Sequence, residues 1–106
     1  MLNSGSSQKA ELGTHEPYSA QDEELAILCK ALAHPARVRI LKILMGRACI
    51  CGEIVQVMHL AQSTVSEHLR ILKQAGLVQG DIDGPRICYC INPKMLNHLK
   101  ELIEAL

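Results

Sequence analysis

Between Gln62 and Leu106 the apolar period of this chain changes twice, and that double change limits the fold more than any other feature. Val65, Leu69 and Leu72 recur at helical spacing in a segment from about Gln62 to Ala75, which Gly76 stops. From Leu77 to Ile82 the period drops to two. Asp83-Gly84-Pro85 reads as a turn, and Arg86 to Ile91 as the returning strand. Ile87, Tyr89 and Ile91 share one face of that strand, and Arg86, Cys88 and Cys90 share the other. Pro93 then opens an amphipathic helix to Leu106, with Leu96, Leu99, Leu102, Ile103 and Leu106 apolar. The order predicts a mainly α fold with a small β-hairpin.

Upstream, Leu25, Leu28 and Leu32 place a helix over Asp22 to Ala33, with Asp22, Glu23 and Glu24 suited to its positive end. His34-Pro35 breaks it. A second helix runs from Pro35 to about Met45, with Val38, Leu41 and Leu44 on one face and Ile40 and Ile43 beside them. Residues 47–52 read as a connection holding Cys49 and Cys51. A short helix follows from Glu53 to His59, with Ile54, Val57 and Met58 inward, then a tight turn at Leu60-Ala61.

Phe and Trp are absent from the 106 residues, while 48% are hydrophobic, so the core must be aliphatic. That length holds one domain with one core. Residues 1–20 read as a flexible tail and residues 21–106 as the domain. The formal net charge is zero, although Arg37, Arg39, Lys42, Arg47, Arg70, Lys73 and Arg86 concentrate in the middle. A neutral total of this kind neither supports nor excludes nucleic acid. No stretch is apolar enough to span a membrane and no signal peptide is evident, which points to the cytoplasm. There, cysteines are expected to be reduced and reactive or metal-bound rather than disulfide-linked.

Two helices joined by a tight turn, the second starting in short polar side chains, form a helix-turn-helix pattern. Gln62, Ser63, Thr64, Ser66 and Glu67 can face base edges and phosphates at the start of that helix, and Arg70 can add backbone charge. The hairpin becomes the wing, with Arg86 able to reach a phosphate or a minor groove.

The run Ala31-Leu32-Ala33-His34-Pro35-Ala36-Arg37-Val38-Arg39-Ile40-Leu41 resembles the entry motif of the ArsR/SmtB family of metal-responsive repressors. Gly52-Glu53-Ile54, the run from Gln62 to Val78, and Gly84 to Pro93 continue the resemblance in register. It implies a winged helix-turn-helix dimer built from the first and last helices. It also implies a double-stranded operator of two half-sites and release of DNA by an inducer. A dimer agrees with the few base pairs one such helix can read. Ala61 departs from the family, which often has a capping Ser or Thr there.

Two Cys-x-Cys pairs, Cys49 with Cys51 and Cys88 with Cys90, suggest a thiophilic ligand such as As(III), Sb(III), Cd(II) or Cu(I). The first pair precedes a helix start and has Arg47 nearby, two features that favour thiolate. Arsenic-sensing relatives carry a Cys-Val-Cys-Asp segment at this place, so the resemblance favours arsenite or antimonite as inducer. Here the segment is Cys49-Ile50-Cys51-Gly52-Glu53, and Val55 stands where the third family cysteine is expected. Cys88 and Cys90 read as exposed neighbours that complete this site across a dimer or form their own. Cys29 reads as a core cysteine. His34, His59 and His68 read as turn or packing residues, and His98 as a surface residue.

Thiol redox or persulfide sensing on the same fold is the first alternative. Persulfide-sensing relatives place cysteines in the second and last helices, where this chain has none. A structural zinc module closing all four paired cysteines is the alternative of another class. It is disfavoured by the expectation that wing and connection lie far apart in one protomer. An enzyme is not expected, because no nucleophile, base and orienting group recur at sensible positions.

Overall fold

A computed structural model describes residues 17–83 and 86–106, with backbone alone at residues 49, 50, 81–83, 86 and 87. The tail expected before residue 17 and the turn residues Gly84 and Pro85 lie outside the described residues.

Helix α1 spans Ala20–Ala31. It starts two residues before the expected Asp22 because Ser19 and Asp22 form a reciprocal cap. The Ser19 hydroxyl accepts from the Asp22 N–H at 3.0 Å, and the Asp22 carboxylate accepts from the Ser19 N–H at 3.0 Å. Helix α2 spans Pro35–Gly46, with Pro35 in its first turn and His34 as its cap. The His34 Nδ1 accepts from the Ala36 N–H at 3.0 Å.

The expected connection after α2 is more ordered than a loop. Cys49–Ile50 form a short strand, β1, and helix α3 spans Cys51–Met58, beginning at the cysteine rather than at Glu53. His59 turns the chain with φ 58°, a left-handed conformation that His tolerates better than a branched residue. Helix α4 spans Gln62–Gln74. Its cap residue Ala61 makes no side-chain hydrogen bond, as its missing hydroxyl requires. The helix ends in a Schellman motif. Gly76, at φ 85°, donates to the Lys73 carbonyl at 2.9 Å, and Leu77 donates to the Leu72 carbonyl at 3.1 Å.

Strands β2 (Val78–Asp83) and β3 (Arg86–Ile91) pair antiparallel as the expected hairpin, from Val78 opposite Ile91 to Asp83 opposite Arg86. Strand β1 adds to the other edge of β3, giving the sheet order β1-β3-β2. Helix α5 spans Pro93–Glu104, capped by the Asn92 side chain.

Leu28, Ile40, Leu41, Leu44, Ile54, Val65, Leu69, Leu72, Leu77, Val78 and Leu99 form one aliphatic core. Two expectations about facing fail. Val57 is 51% exposed, because α3 packs through Ile54, Val55 and Met58 and leaves Val57 on the outer edge of that stripe. Cys29 is exposed, because Leu25, Leu28, Ala31 and Leu32 carry the inward stripe of α1 and Cys29 lies about a quarter-turn away. Helices α1 and α5 touch, and the His98 Nε2 sits 2.8 Å from the Glu24 carboxylate between them. Ile27 on α1, Ile103 on α5 and Leu106 just beyond α5 remain exposed. No helix among the described residues is long and apolar enough to cross a membrane.

Candidate nucleic-acid interface and thiol sites

Helix α4 divides cleanly by face. Val65, His68, Leu69 and Leu72 are buried, while Gln62, Ser63, Thr64, Ser66, Glu67 and Arg70 are all exposed. These are the side chains expected to meet DNA. The Arg70 guanidinium is not idle, however. Its Nε donates to the Glu67 carboxylate at 3.0 Å, and a second nitrogen closes a bidentate pair. That partner holds the Glu67 carboxyl below its ordinary range and the arginine above its own. The pair with Glu67 occupies one edge of the Arg70 guanidinium. The Arg86 backbone lies in β3 opposite Asp83, and its side chain lies outside the described residues.

Beneath α4 sits a cluster that the helical pattern could not assemble. The Arg37 Nε donates to the Ala31 carbonyl at 2.6 Å, and another guanidinium nitrogen lies 3.2 Å from the His68 Nδ1. Guanidinium only donates, so this nitrogen of His68 must accept and the ring is neutral. The His34 ring packs on His68 with centroids 4.6 Å apart. Burial first, then the neighbouring His34 and Arg37, hold the His68 pKa below its ordinary value. Arg37 thereby ties the end of α1 and the start of α2 to the middle of α4. His34, His59 and His68 thus serve turns and packing, as expected. The missed member is Arg37, whose only sequence signal is its place two residues after His34-Pro35.

The cysteines are arranged differently from expectation. Wing and connection are not far apart: β1 pairs with β3, placing Cys49 opposite Tyr89 and Ile50 opposite Cys88. The Cys49 side chain lies outside the described residues. Cys51 is half-buried, and its sulfur lies 3.7 Å from the Ser66 hydroxyl on α4. Burial, and next the Cys51 thiol beside it, push the Tyr89 phenol above its ordinary range. Cys51 and Tyr89 therefore share one side of the sheet. Alternation along β3 turns Cys88 and Cys90 to the opposite side. The two segments are close in the sheet, with Cys51 and the second pair on opposite sides of it. Among the described residues no three His, Cys, Asp or Glu side chains converge as a metal site.

The Arg47 guanidinium, expected to act on the thiols, lies 3.4 Å from the Glu53 carboxylate. Cys88 is exposed as expected. Cys90 is only half-exposed, since it forms part of the wall of a cleft between β3, the end of α2 and the start of α5.

Residues 34–79 match the family described as bacterial regulatory protein, arsR family. The HTH-type transcriptional regulator YgaV of Escherichia coli (strain K12) is 35% identical over 79 residues, covering 74% of this chain and 80% of the relative. The structure of HlyU from Vibrio cholerae N16961 superposes with TM-score 0.70 at 25% identity, covering 83% of this chain and 97% of that one. A structure described as a possible transcriptional regulator for arsenical resistance gives TM-score 0.68 at 29% identity, covering 74% and 81%. The helix-turn-helix with an exposed polar face, the wing behind it and these likenesses agree: the chain belongs to the arsR family of winged helix-turn-helix transcriptional regulators, DNA-binding proteins and not enzymes.

Proposed function

We propose that this protein is a homodimeric repressor that leaves a two-half-site operator when arsenite or antimonite binds thiolates of Cys49 and Cys51. The observation that carries the reading is the 3.7 Å approach of the Cys51 sulfur to the Ser66 hydroxyl. Ser66 stands on the exposed face of α4 among Gln62, Ser63, Thr64, Glu67 and Arg70, the side chains assigned to the operator, with Arg86 assisting from the wing. An ion held on Cys51 needs the space that Ser66 now fills, so occupancy of the thiol pair and the DNA-competent position of α4 compete. A coupling of about 1.4 kcal/mol already changes operator affinity tenfold.

The chemistry needs no oxidant. Arsenous acid exchanges two hydroxyls for two cysteine thiols and releases two waters, keeping its third hydroxyl. That count suits a site with Val55 where a third cysteine could stand. The likeness to a possible regulator for arsenical resistance supports the choice of inducer. The apolar residues exposed on α1 and at the end of α5 and beyond it, Ile27, Ile103 and Leu106, support the dimer.

The test is operator release followed by fluorescence anisotropy on a palindromic fragment, titrated with arsenite, antimonite, cadmium and an oxidant. Cys49→Ser and Cys51→Ser should bind the operator as the parent does and fail to release it with arsenite. Normal release from Cys51→Ser overturns the reading. Release by the oxidant alone replaces it with a redox trigger.

A further inference from the structure

Cys88 and Cys90 remain outside that trigger, on the other side of the sheet. They stand two residues apart on β3, so their Cα atoms are about 6–7 Å apart and their side chains share a face. Cys88 is exposed, whereas Cys90 is half-buried in the wall of a cleft of about 380 Å³. Leu44, Met45, Ile91, Pro93 and Leu96 make most of the remaining wall, with Arg47 and Asn97 also on it, so the space beside the inner thiol is mainly apolar. The Cys90 sulfur donates to the neutral Gln79 side-chain oxygen at 4.0 Å.

The donor count narrows the ligand. Among the described side chains no third His, Cys, Asp or Glu joins this pair, and the strand register sets Asp81 opposite Cys88. A tetrahedral zinc ion asks for four such ligands in a structural site. A ligand that suits the pair forms two bonds to sulfur and presents an apolar group to the cleft. We propose that Cys88 and Cys90 form a second site, independent of Cys49 and Cys51, for a trivalent arsenical bearing one apolar carbon substituent. The step balances without redox change. Two thiols displace two hydroxyls from R–As(OH)2, two waters leave, and the As–C bond stays intact with R seated against Leu44, Met45 and Leu96.

The test uses phenylarsine oxide as probe and arsenite as comparison, on the full chain with Cys29, Cys49 and Cys51 changed to Ser. Mass spectrometry in excess monothiol should show one phenylarsenic adduct per chain, absent after Cys88→Ser or Cys90→Ser. Phenylarsine oxide should bind at least tenfold more tightly than arsenite. Ala48→Phe, which adds bulk to the wall of the cleft, should remove most of that preference; its circular dichroism and operator binding report whether the fold is intact. An adduct that survives Cys90→Ser, or equal affinity for the two arsenicals, overturns the proposal. If Ala48→Phe misfolds, methyl- and phenyl-substituted arsenicals compared on the unfilled cleft still decide it: no gain with the larger group overturns it. Loss of the Cys49 and Cys51 trigger leaves every one of these outcomes unchanged, so the two readings fail separately.

Discussion

Replacing Ala61 with serine should stabilise the protein, and the size of the gain follows from the backbone at that position. Ala61 holds φ −61° and ψ 148°, the extended geometry of a helix cap, and its carbonyl already accepts from the Val65 N–H at 3.0 Å. The residue is exposed, so a hydroxyl meets no steric barrier. What is missing is an acceptor for the free N–H groups of the first turn of α4. Supplying one is worth about 1 kcal/mol, within a range of roughly 0.5–2. For a domain of this size, that raises the thermal midpoint by about 4–8 °C. The assay is a melt and a urea titration at fixed protein concentration, because the midpoint of a dimer depends on concentration. The urea midpoint should rise with its slope unchanged. Ala61→Val should give no gain. Ala61→Asp should add the favourable interaction of a carboxylate with the helix start, while placing negative charge where a DNA phosphate approaches. Stability and operator affinity should then move in opposite directions. Unchanged midpoints for both Ser and Asp would falsify the reasoning, because the start of α4 would then not be limiting.

Three further outcomes are expected. Because the folded His68 pKa lies below the ordinary 6.5, its contribution to stability is fully present above that value and is lost as pH falls through the folded pKa. Urea midpoints compared at about pH 7.5 and about pH 5.5 should show a shallower pH dependence in His68→Gln. Glu67→Gln should free Arg70 for a phosphate, tightening operator binding and steepening its salt dependence by about one unit of slope; an unchanged slope means Arg70 does not reach the backbone. Gly76→Ala should lose at least roughly 1–2 kcal/mol by chemical denaturation, from the left-handed backbone. Its new Cβ also meets the Met95 methyl at 3.1 Å.

The helix, hairpin and helix order was legible because each element is long enough to show its period. The strand β3 was read to its observed ends, since Asn92 and Pro93 stop it on one side and the turn residues on the other. The strand β1 was not legible. Two residues carry no period, and their partners lie nearly 40 positions further on. The placement of the two cysteine pairs relative to each other depended on that pairing, so their proximity could not be read from spacing. Exposure of Cys29 and Val57 escaped for a related reason. On a short helix the apolar residues fit more than one stripe, and the packing of its neighbours selects among them. The six polar residues of α4 were legible because its buried stripe is unambiguous. The Glu67–Arg70 pair follows from their spacing of three.

Strand β1 also sets where this wing can be exchanged. With β3 in the middle of the sheet, the hairpin is not a detachable module. A wing transplanted into a relative that lacks residues equivalent to Cys49 and Ile50 would expose a row of unpaired backbone groups on β3, an edge prone to intermolecular pairing. A graft that carries the segment before α3 along with the hairpin keeps that edge covered. For chimeric regulators, the portable unit is therefore discontinuous in sequence and begins at the thiol segment.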